Sequence, residues 1–227
     1  MMGLFDNGGF LGVASDYDAA PSGVWDLTTP FLRKRAALGE QVLLDDFETF
    51  SGWTTVSSGV VSQSSAQAYQ GTFSAIKTTN NDPNGAYKLL SSPVYREFVL
   101  EAWIYSVEPR AGGGADRLAI VNSSGDGYGF NSSSGTLRSE IRNSYTGTNF
   151  SSTDATWTRP ANAWYRVVMT ALANNTFTVN AYNTSGSLLA AHTSIADTTH
   201  IGPFDRVAIL GGNEFHVDNL KVTRMGL

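Results

Sequence analysis

From residue 42 onward, apolar and polar residues alternate in short runs, which is the pattern of half-buried β-strands. Between residues 98 and 105, one face carries four apolar side chains, those of Phe98, Leu100, Ala102 and Ile104. Residues 177–182 are apolar at every second position until the run ends. The pattern predicts nine strands, over residues 42–48, 72–78, 97–105, 117–122, 136–143, 164–172, 176–182, 206–210 and 215–223.

Clusters of Gly, Asn, Asp and Ser separate these runs and predict turns. They lie at residues 81–85, 112–114, 124–127, 134–135, 185–186 and 211–213. Many short strands with regular turns are typical of a β-sandwich and not of alternating β/α units. The fold class predicted for residues 41–227 is therefore all-β.

Residues 1–40 differ in composition from the rest of the chain and begin with a Gly-rich stretch. This composition predicts an N-terminal arm with one short helix, over about 30–38. Thr29 is the N-cap, Pro30 occupies the first helical position and Gly39 ends the helix. So short a helix needs a surface for its apolar face, namely Phe31, Leu32 and Leu38. We expect the arm to dock on another chain, the alternative being the chain's own sandwich.

Composition narrows the classes of partner. Charged residues make up only 15% of the 227, the net charge is -5, and there is no Cys. An acidic chain without a basic cluster is not expected to bind nucleic acid. The lack of Cys excludes disulfides and thiol chemistry. Neither a signal-peptide pattern nor a membrane-length apolar run is present, so we expect assembly in the cytoplasm and no membrane partner.

Three stretches carry a resemblance to the concanavalin A-like lectin/glucanase jelly rolls. Leu44–Glu48, followed by Gly52 and Trp53, resembles the opening strand of such domains. Trp164–Met169, followed by 175–182, is similar to a hairpin of theirs, and Phe215–Val222 resembles the closing strand that pairs with the first. The resemblance implies a jelly-roll β-sandwich and leaves the ligand open.

Glycosidases with that fold carry the motif Glu-x-Asp-x-x-Glu on one strand, and this chain lacks it. Glu140 lies between Arg138 and Arg142, which indicates a charge ladder across strands. The three His residues are far apart in the sequence. We therefore expect a protein without catalytic activity.

The resemblance also suggests one cation site. Its first and last strands are neighbours, so that Asp45, Asp46, Glu48 and Asp218 would provide oxygen ligands for a structural Ca²⁺. Asp126, between two glycines, is a second candidate. The favoured alternative is that these carboxylates are solvated or capped by backbone N–H groups.

Sugar binding needs exposed aromatic rings beside amides or carboxylates. The loop from 143 to 157 and its surroundings provide the candidates, namely Tyr128, Asn131, Tyr145, Asn149 and Trp157, with Trp103 and Tyr105 also available. The alternative is that these rings belong to the core, where we also place Trp164.

In the arm, Ala20–Leu27 resembles a "PSGVWSL" segment of tailed-phage structural and fibre-type proteins, with Asp26 in place of Ser. This resemblance implies a non-enzymatic virion protein, a tail fibre or capsid decoration, built as a homo-oligomer. The arm would attach it to other virion proteins, through Val24, Trp25, Leu27, Phe31 and Leu32. The sandwich would project outward, with host polysaccharide as a candidate ligand. The alternatives are a free carbohydrate-binding module or lectin and, less favoured, a divergent glycoside hydrolase.

Overall fold

In the residues that the computed structural model describes, the long regular elements are β-strands. The structure describes residues 39–56, 60–78, 85–108, 115–133, 135–145, 154–192 and 195–225. The helix predicted at 30–38 lies outside these residues. Within the described ranges no helix is long and apolar enough to cross a membrane.

Sixteen strands follow one another along the described chain. They are β1 (Glu40–Asp45), β2 (Trp53–Val56), β3 (Val61–Ser64), β4 (Ser74–Lys77), β5 (Gly85–Val94), β6 (Phe98–Ser106), β7 (Asp116–Val121), β8 (Asp126–Ser133), β9 (Thr136–Asn143), β10 (Asp154–Thr156), β11 (Trp164–Ala171), β12 (Thr176–Tyr182), β13 (Leu188–Ala191), β14 (Ile195–Ala196), β15 (Phe204–Gly211) and β16 (Phe215–Arg224).

The strands form two antiparallel sheets. In the first sheet the order is β13-β12-β11-β6-β16-β4-β3, with β1 added to β16 and β14 added to β12. In the second sheet the order is β10-β9-β8-β7-β15-β5-β2. The two sheets pack as a jelly-roll β-sandwich, and residues 41–224 form one compact unit. The predicted all-β sandwich is confirmed.

The core lies between the sheets and follows the two-residue period of the strands. On β6 the side chains at 98, 100, 102 and 104 have no exposed surface, while those at 99, 101, 103 and 105 are partly exposed. β11 and β12 show the same alternation. Burial of this apolar face supplies most of the driving force for folding.

All nine predicted strands are present, and the pairing of the last strand with the first is confirmed, because β1 pairs with β16. The predicted hairpin is β11–β12, in which Arg166 lies opposite Tyr182. Seven further strands were missed from the sequence, namely β2, β3, β5, β8, β10, β13 and β14.

Glu140 belongs to a charge network, as its arginine-flanked position predicted. Its carboxylate is 2.9 Å from Nη1 of Arg142 and 3.5 Å from Nε of Arg117. Asn131 donates an amide hydrogen bond to the same carboxylate at 2.7 Å. The network is buried, with only 1% of the Glu140 surface exposed, so it is structural.

Candidate functional site

Asp45, the first candidate calcium ligand, closes a corner at the end of β1. Its carboxylate accepts hydrogen bonds from Trp53 Nε1 at 2.9 Å and from the backbone N–H of Phe47 at 3.0 Å, and pairs with Lys88 Nζ at 2.8 Å. Phe47 stacks on Phe50 and Trp53 beside it. The motif that resembles a lectin opening strand therefore folds into an aromatic corner held by one carboxylate.

Two other candidates, Glu48 and Asp218, hold the loop between β3 and β4. Glu48 Oε1 accepts the backbone N–H groups of Thr72 and Phe73, at 2.7 and 2.9 Å. Asp218 Oδ2 accepts those of Tyr69 and Gln70, at 2.8 and 3.0 Å. Two carboxylates thus fix the backbone of residues 69–73 from two sides.

Asp218 is fully buried, and a register shift between Asp218 and Lys221 interrupts the ladder of β16 with β6 at this residue. Burial raises the pKa of Asp218, while the N–H groups of Gln70, Tyr69 and Asn219 lower it and the charge of Glu48 raises it further. Burial outweighs the hydrogen bonds, so the carboxyl protonates more easily than an exposed aspartate.

The structure does not gather the four acidic candidates into a cation cage. Asp46 is exposed and accepts the N–H of Glu48 at 3.2 Å. Asp126 lies 3.4 Å from the side-chain amide of Asn122. Among the residues that the structure describes, no group of three His, Asp or Glu side chains could hold a metal ion. Structural calcium stays a prediction.

Two of the residues predicted to contact a ligand lie in the core, which corrects their assignment as exposed aromatics. Tyr128 is 2% exposed, stacks on Phe177 at 4.9 Å and donates its hydroxyl hydrogen bond within the protein. Trp157 is 5% exposed and contacts the Tyr165 ring edge-on. Large aromatic rings bury much apolar surface, and at both positions the ring packs in the core and is not available to a ligand.

The other members of that group do not converge on one surface. Asn131 is buried beside Glu140. Tyr145 is half-buried, stacks on Tyr87 and accepts a hydrogen bond from Arg206 at 3.2 Å. Asn149 lies outside the described residues, as do the predicted attachment residues Val24, Trp25, Leu27, Phe31 and Leu32.

Four aromatic side chains instead meet on the outer face of the first sheet. They are Tyr69 from the loop held by Asp218, Trp103 and Tyr105 from β6, and Trp164 from β11, and each is half-buried. The Tyr69 and Trp103 rings are parallel, with centroids 3.7 Å apart. Trp164 meets Tyr69 at 5.8 Å and Tyr105 at 5.6 Å. We call these four residues the aromatic face.

Strand register explains the cluster, because paired residues of antiparallel strands lie side by side on one face. Tyr105 lies opposite Trp164 on one side and opposite His216 on the other. Trp103 lies opposite Arg166 on β11 and opposite Asp218 on β16. The three adjacent strands β11, β6 and β16 therefore bring aromatic rings and polar groups side by side.

His216 borders the aromatic face as a neutral imidazole. The Ser74 hydroxyl donates to the carbonyl of Gln67 at 2.5 Å, so it accepts from His216 Nδ1 at 3.0 Å. Burial lowers the pKa of His216 to about 4. The His216 ring contacts the Tyr105 ring edge-on at 5.9 Å, so His216 bounds the aromatic face on the side of β16.

The placement of Trp164 corrects the expectation that it is a core residue. Trp164 shares its side of β11 with the charged Arg166, and the buried aromatic of this strand is the next residue, Tyr165, with no exposed surface. The sequence contained a signal for this, because residues two apart on a strand share a face and Arg166 is a charged residue expected on the outer face. Trp103 and Tyr105 were identified as available rings, whereas Tyr69 was missed.

A groove of about 410 Å³ lies elsewhere on the sandwich, along β1 and β5. It is lined by residues 41–44 and 88–91, among which there is no aromatic ring. Leu44 and Leu89 are more than half exposed there. Its chemistry does not suit a sugar as well as the aromatic face does.

Sequence comparison relates the chain to an uncharacterized archaeal protein. No protein-family model matches it. The uncharacterized protein MJ1394 of Methanocaldococcus jannaschii is 36% identical over 183 residues, which are 80% of this chain but 18% of that protein. The chain thus spans about a fifth of the length of this curated relative.

Among solved structures, the carbohydrate-binding module CBM66 from Bacillus subtilis superposes with a TM-score of 0.50 at 15% identity, over 76% of this chain and 96% of that module. A Shewanella oneidensis protein of unknown function, SO2946, gives 0.53 at 14%, over 92% and 99%. Botulinum neurotoxin type C, described as depending on two ganglioside molecules for cell entry, gives 0.56 at 12%, over 83% and 48%. At these identities the likeness establishes the fold alone.

Proposed function

We propose that this chain is a carbohydrate-binding module and that its glycan site is the aromatic face. The carrying observation is the outward cluster of Tyr69, Trp103, Tyr105 and Trp164. Aromatic rings offer an apolar surface to the C–H groups of a sugar ring, and their polar edges and neighbours offer hydrogen bonds to its hydroxyls.

The site is held in place before any ligand arrives. Trp103, Tyr105 and Trp164 belong to central strands, and the backbone of Tyr69 is fixed by Asp218. A rigid site loses little conformational entropy on binding. The likeness of the fold to CBM66 and to the ganglioside-dependent neurotoxin supports the proposal.

The proposed activity is binding without catalysis. Retaining and inverting glycosidases need two carboxyl groups that flank the scissile bond. Asp218 and Glu48, beside the aromatic face, already accept two or more backbone N–H groups each. In this account they serve to hold the loop.

The setting in a virion stays a separate proposal, since it depends on residues 20–33. A glycan-binding sandwich carried by an attachment arm would suit adhesion to a host surface. Repetition of such a module by symmetry would strengthen a weak contact through multivalency.

A glycan microarray probed with the full chain tests the proposal. We expect binding to a subset of glycans, and binding at least roughly tenfold weaker for Trp164→Ala. Tyr95→Ala is the matched control, because Tyr95 is 57% exposed and precedes β6, whose far end carries Trp103 and Tyr105. An equal loss in the two variants, or no glycan bound by the native chain, would contradict the assignment.

A further inference from the structure

The outer face of β11 carries one cation beside the aromatic face. Arg166 lies opposite Trp103 on β6 and opposite Tyr182 on β12. Its guanidinium carbon is 5.0 Å from the centre of the Tyr182 ring. Stacking on this ring restricts the long side chain and holds its planar group on the β12 side of β11. The aromatic face adjoins this position, because Trp103 is in register with Arg166 and Trp164 is two residues away on the same face of β11.

The guanidinium of Arg166 has no carboxylate partner within ion-pair distance among the described residues. Three other arginines of the sandwich differ in this respect. The structure pairs Arg142 with Glu140, Arg159 with Glu108, and Arg206 with Asp205. Within the part of the chain that the structure describes, the Arg166 guanidinium contacts the Tyr182 ring, so its N–H groups can serve a ligand.

The two carboxylates nearest to Arg166 in register, those of Asp218 and Glu101, have other partners or neighbours. Asp218, in register with Trp103, is buried and accepts three backbone N–H groups. Glu101 lies one register row away, between Val168 and Lys221. Lys221 thus carries a positive charge in register with Glu101, whereas the register partners of Arg166 are the aromatic residues Trp103 and Tyr182.

We infer that Arg166 is a specificity-determining residue for carbohydrates that carry a carboxylate, a uronic or a sialic acid. This inference rests on the proposed function and names its ligand class. A guanidinium binds a carboxylate through two parallel hydrogen bonds in one plane. The aromatic face would hold the sugar ring while Arg166 binds its acidic substituent.

Titration calorimetry on the full chain tests the inference with two matched ligand pairs. Polygalacturonate is compared with its carboxyl-reduced, neutral product, and 3′-sialyllactose is compared with lactose. We expect one acidic ligand to bind at least about tenfold more tightly than its neutral counterpart. The pair that shows the difference identifies a uronate or a sialic acid as the source of the carboxylate.

Arg166→Gln should abolish this preference and leave the weak affinity for the neutral ligand unchanged. Arg166→Lys, which keeps the charge but loses the planar fork, should retain part of it. Lys221→Gln is the control, since it removes one positive charge from the same sheet face. We expect it to keep the preference to within about twofold, because exposed charges act weakly over distance in salt.

The outcomes separate this inference from the proposed function. Equal affinity for acidic and neutral ligands in the native chain would overturn the inference and leave glycan binding intact. Equal losses in Arg166→Gln and Lys221→Gln would overturn it in favour of a diffuse charge effect. Failure to bind any carbohydrate of a broad panel would overturn both.

Discussion

Adjacent residues on β11 have opposite surroundings, and the sandwich and its proposed site depend on that difference. Tyr165 is fully buried and its hydroxyl lies among Asp116, Ser106 and Ser132. Trp164 is half-buried on the outer face with Tyr69 and Tyr105. One residue along a strand separates a role in stability from a role in binding.

Substitution of these two neighbours should separate the roles. Tyr165→Ala should lower the free energy of unfolding by about 3–5 kcal/mol, because it leaves a cavity in the core. Trp164→Ala should cost about 1 kcal/mol of stability, the scale of surface aromatic pairs, and should weaken glycan binding at least about tenfold. Denaturant unfolding measures the first effect, and similar losses of stability in the two variants would argue against the assigned faces.

Asp45 and Asp46 form a second pair of neighbours with different environments. Asp45 is 4% exposed and bonds Trp53 and Lys88, whereas Asp46 is exposed. Asp45→Asn should destabilise the protein by about 2 kcal/mol, since the partly buried Lys88 ammonium loses its carboxylate partner. Asp46→Asn should change stability by less than about 0.5 kcal/mol. Equal thermal shifts would rule out the structural role of Asp45.

His216 should give the protein a pH-dependent stability. Its folded pKa of about 4 lies below the unfolded value near 6.5, so the unfolded chain binds the proton more tightly. The contribution of neutral His216 is therefore complete above about pH 6.5 and is lost as the pH falls toward 4, by up to about 3 kcal/mol.

Asp218, with its raised pKa, acts in the opposite direction on acidification, because its folded state takes up a proton more readily. Comparison of the native chain with His216→Gln isolates the histidine. The difference in unfolding free energy between them should shrink as the pH falls from about 6.5 to 4. A difference independent of pH would show that His216 does not titrate in this window.

At the scale of elements, alternation predicts a strand only where one face is apolar and the other polar. β6, β11 and β12 satisfy this condition and were predicted within two residues of their observed ends. β8, with the sequence DGYGFNSS, has glycines at 127 and 129 in place of the second set of side chains, and its first two residues fall in the turn predicted at 124–127. β5 was missed for a similar reason, because it begins at Gly85 inside a predicted turn.

The aromatic face was only partly predictable from the sequence. Strand parity places Trp103 and Tyr105 outside, and the same rule applied to Arg166 places Trp164 beside them. Tyr69 could not be assigned, because its position depends on a hydrogen bond to Asp218, a residue 149 positions later. The roles of the candidate calcium ligands were not predictable for the same reason, because Glu48 and Asp218 bind the backbone of a loop that is distant in sequence.

Gly85 shows why β5 contains a glycine. A Cβ atom added there would lie 1.9 Å from the carbonyl oxygen of Ile209 on the neighbouring strand β15. Gly85→Ala should therefore destabilise the protein by about 2–3 kcal/mol through displaced backbone.

Gly186→Ala is the control for a glycine that is required only by its backbone angle. Gly186 has a φ of +84° and nothing within 4 Å of an added Cβ. We expect it to cost about 1 kcal/mol. A smaller effect at Gly85 than at Gly186 in thermal unfolding would contradict the close approach of β5 and β15.

At the scale of the whole molecule, residues 41–224 form a compact unit with its own core. The 36% identical relative carries the matching stretch as 18% of a longer protein, which is the arrangement expected of a module. Deletion of residues 1–40 should leave a cooperatively folding sandwich that still binds its glycan. Loss of a cooperative unfolding transition in the truncated protein would show that the arm is part of the core.

The central claim is that the outer face of β6 and β11 binds carbohydrate. A crystal structure of the full chain with the tightest oligosaccharide from the microarray tests it most directly. We expect a sugar ring within about 4 Å of Trp164 or Tyr105. A sugar seated in the groove along β1 and β5, or on the second sheet, with the aromatic face uncovered, would contradict it.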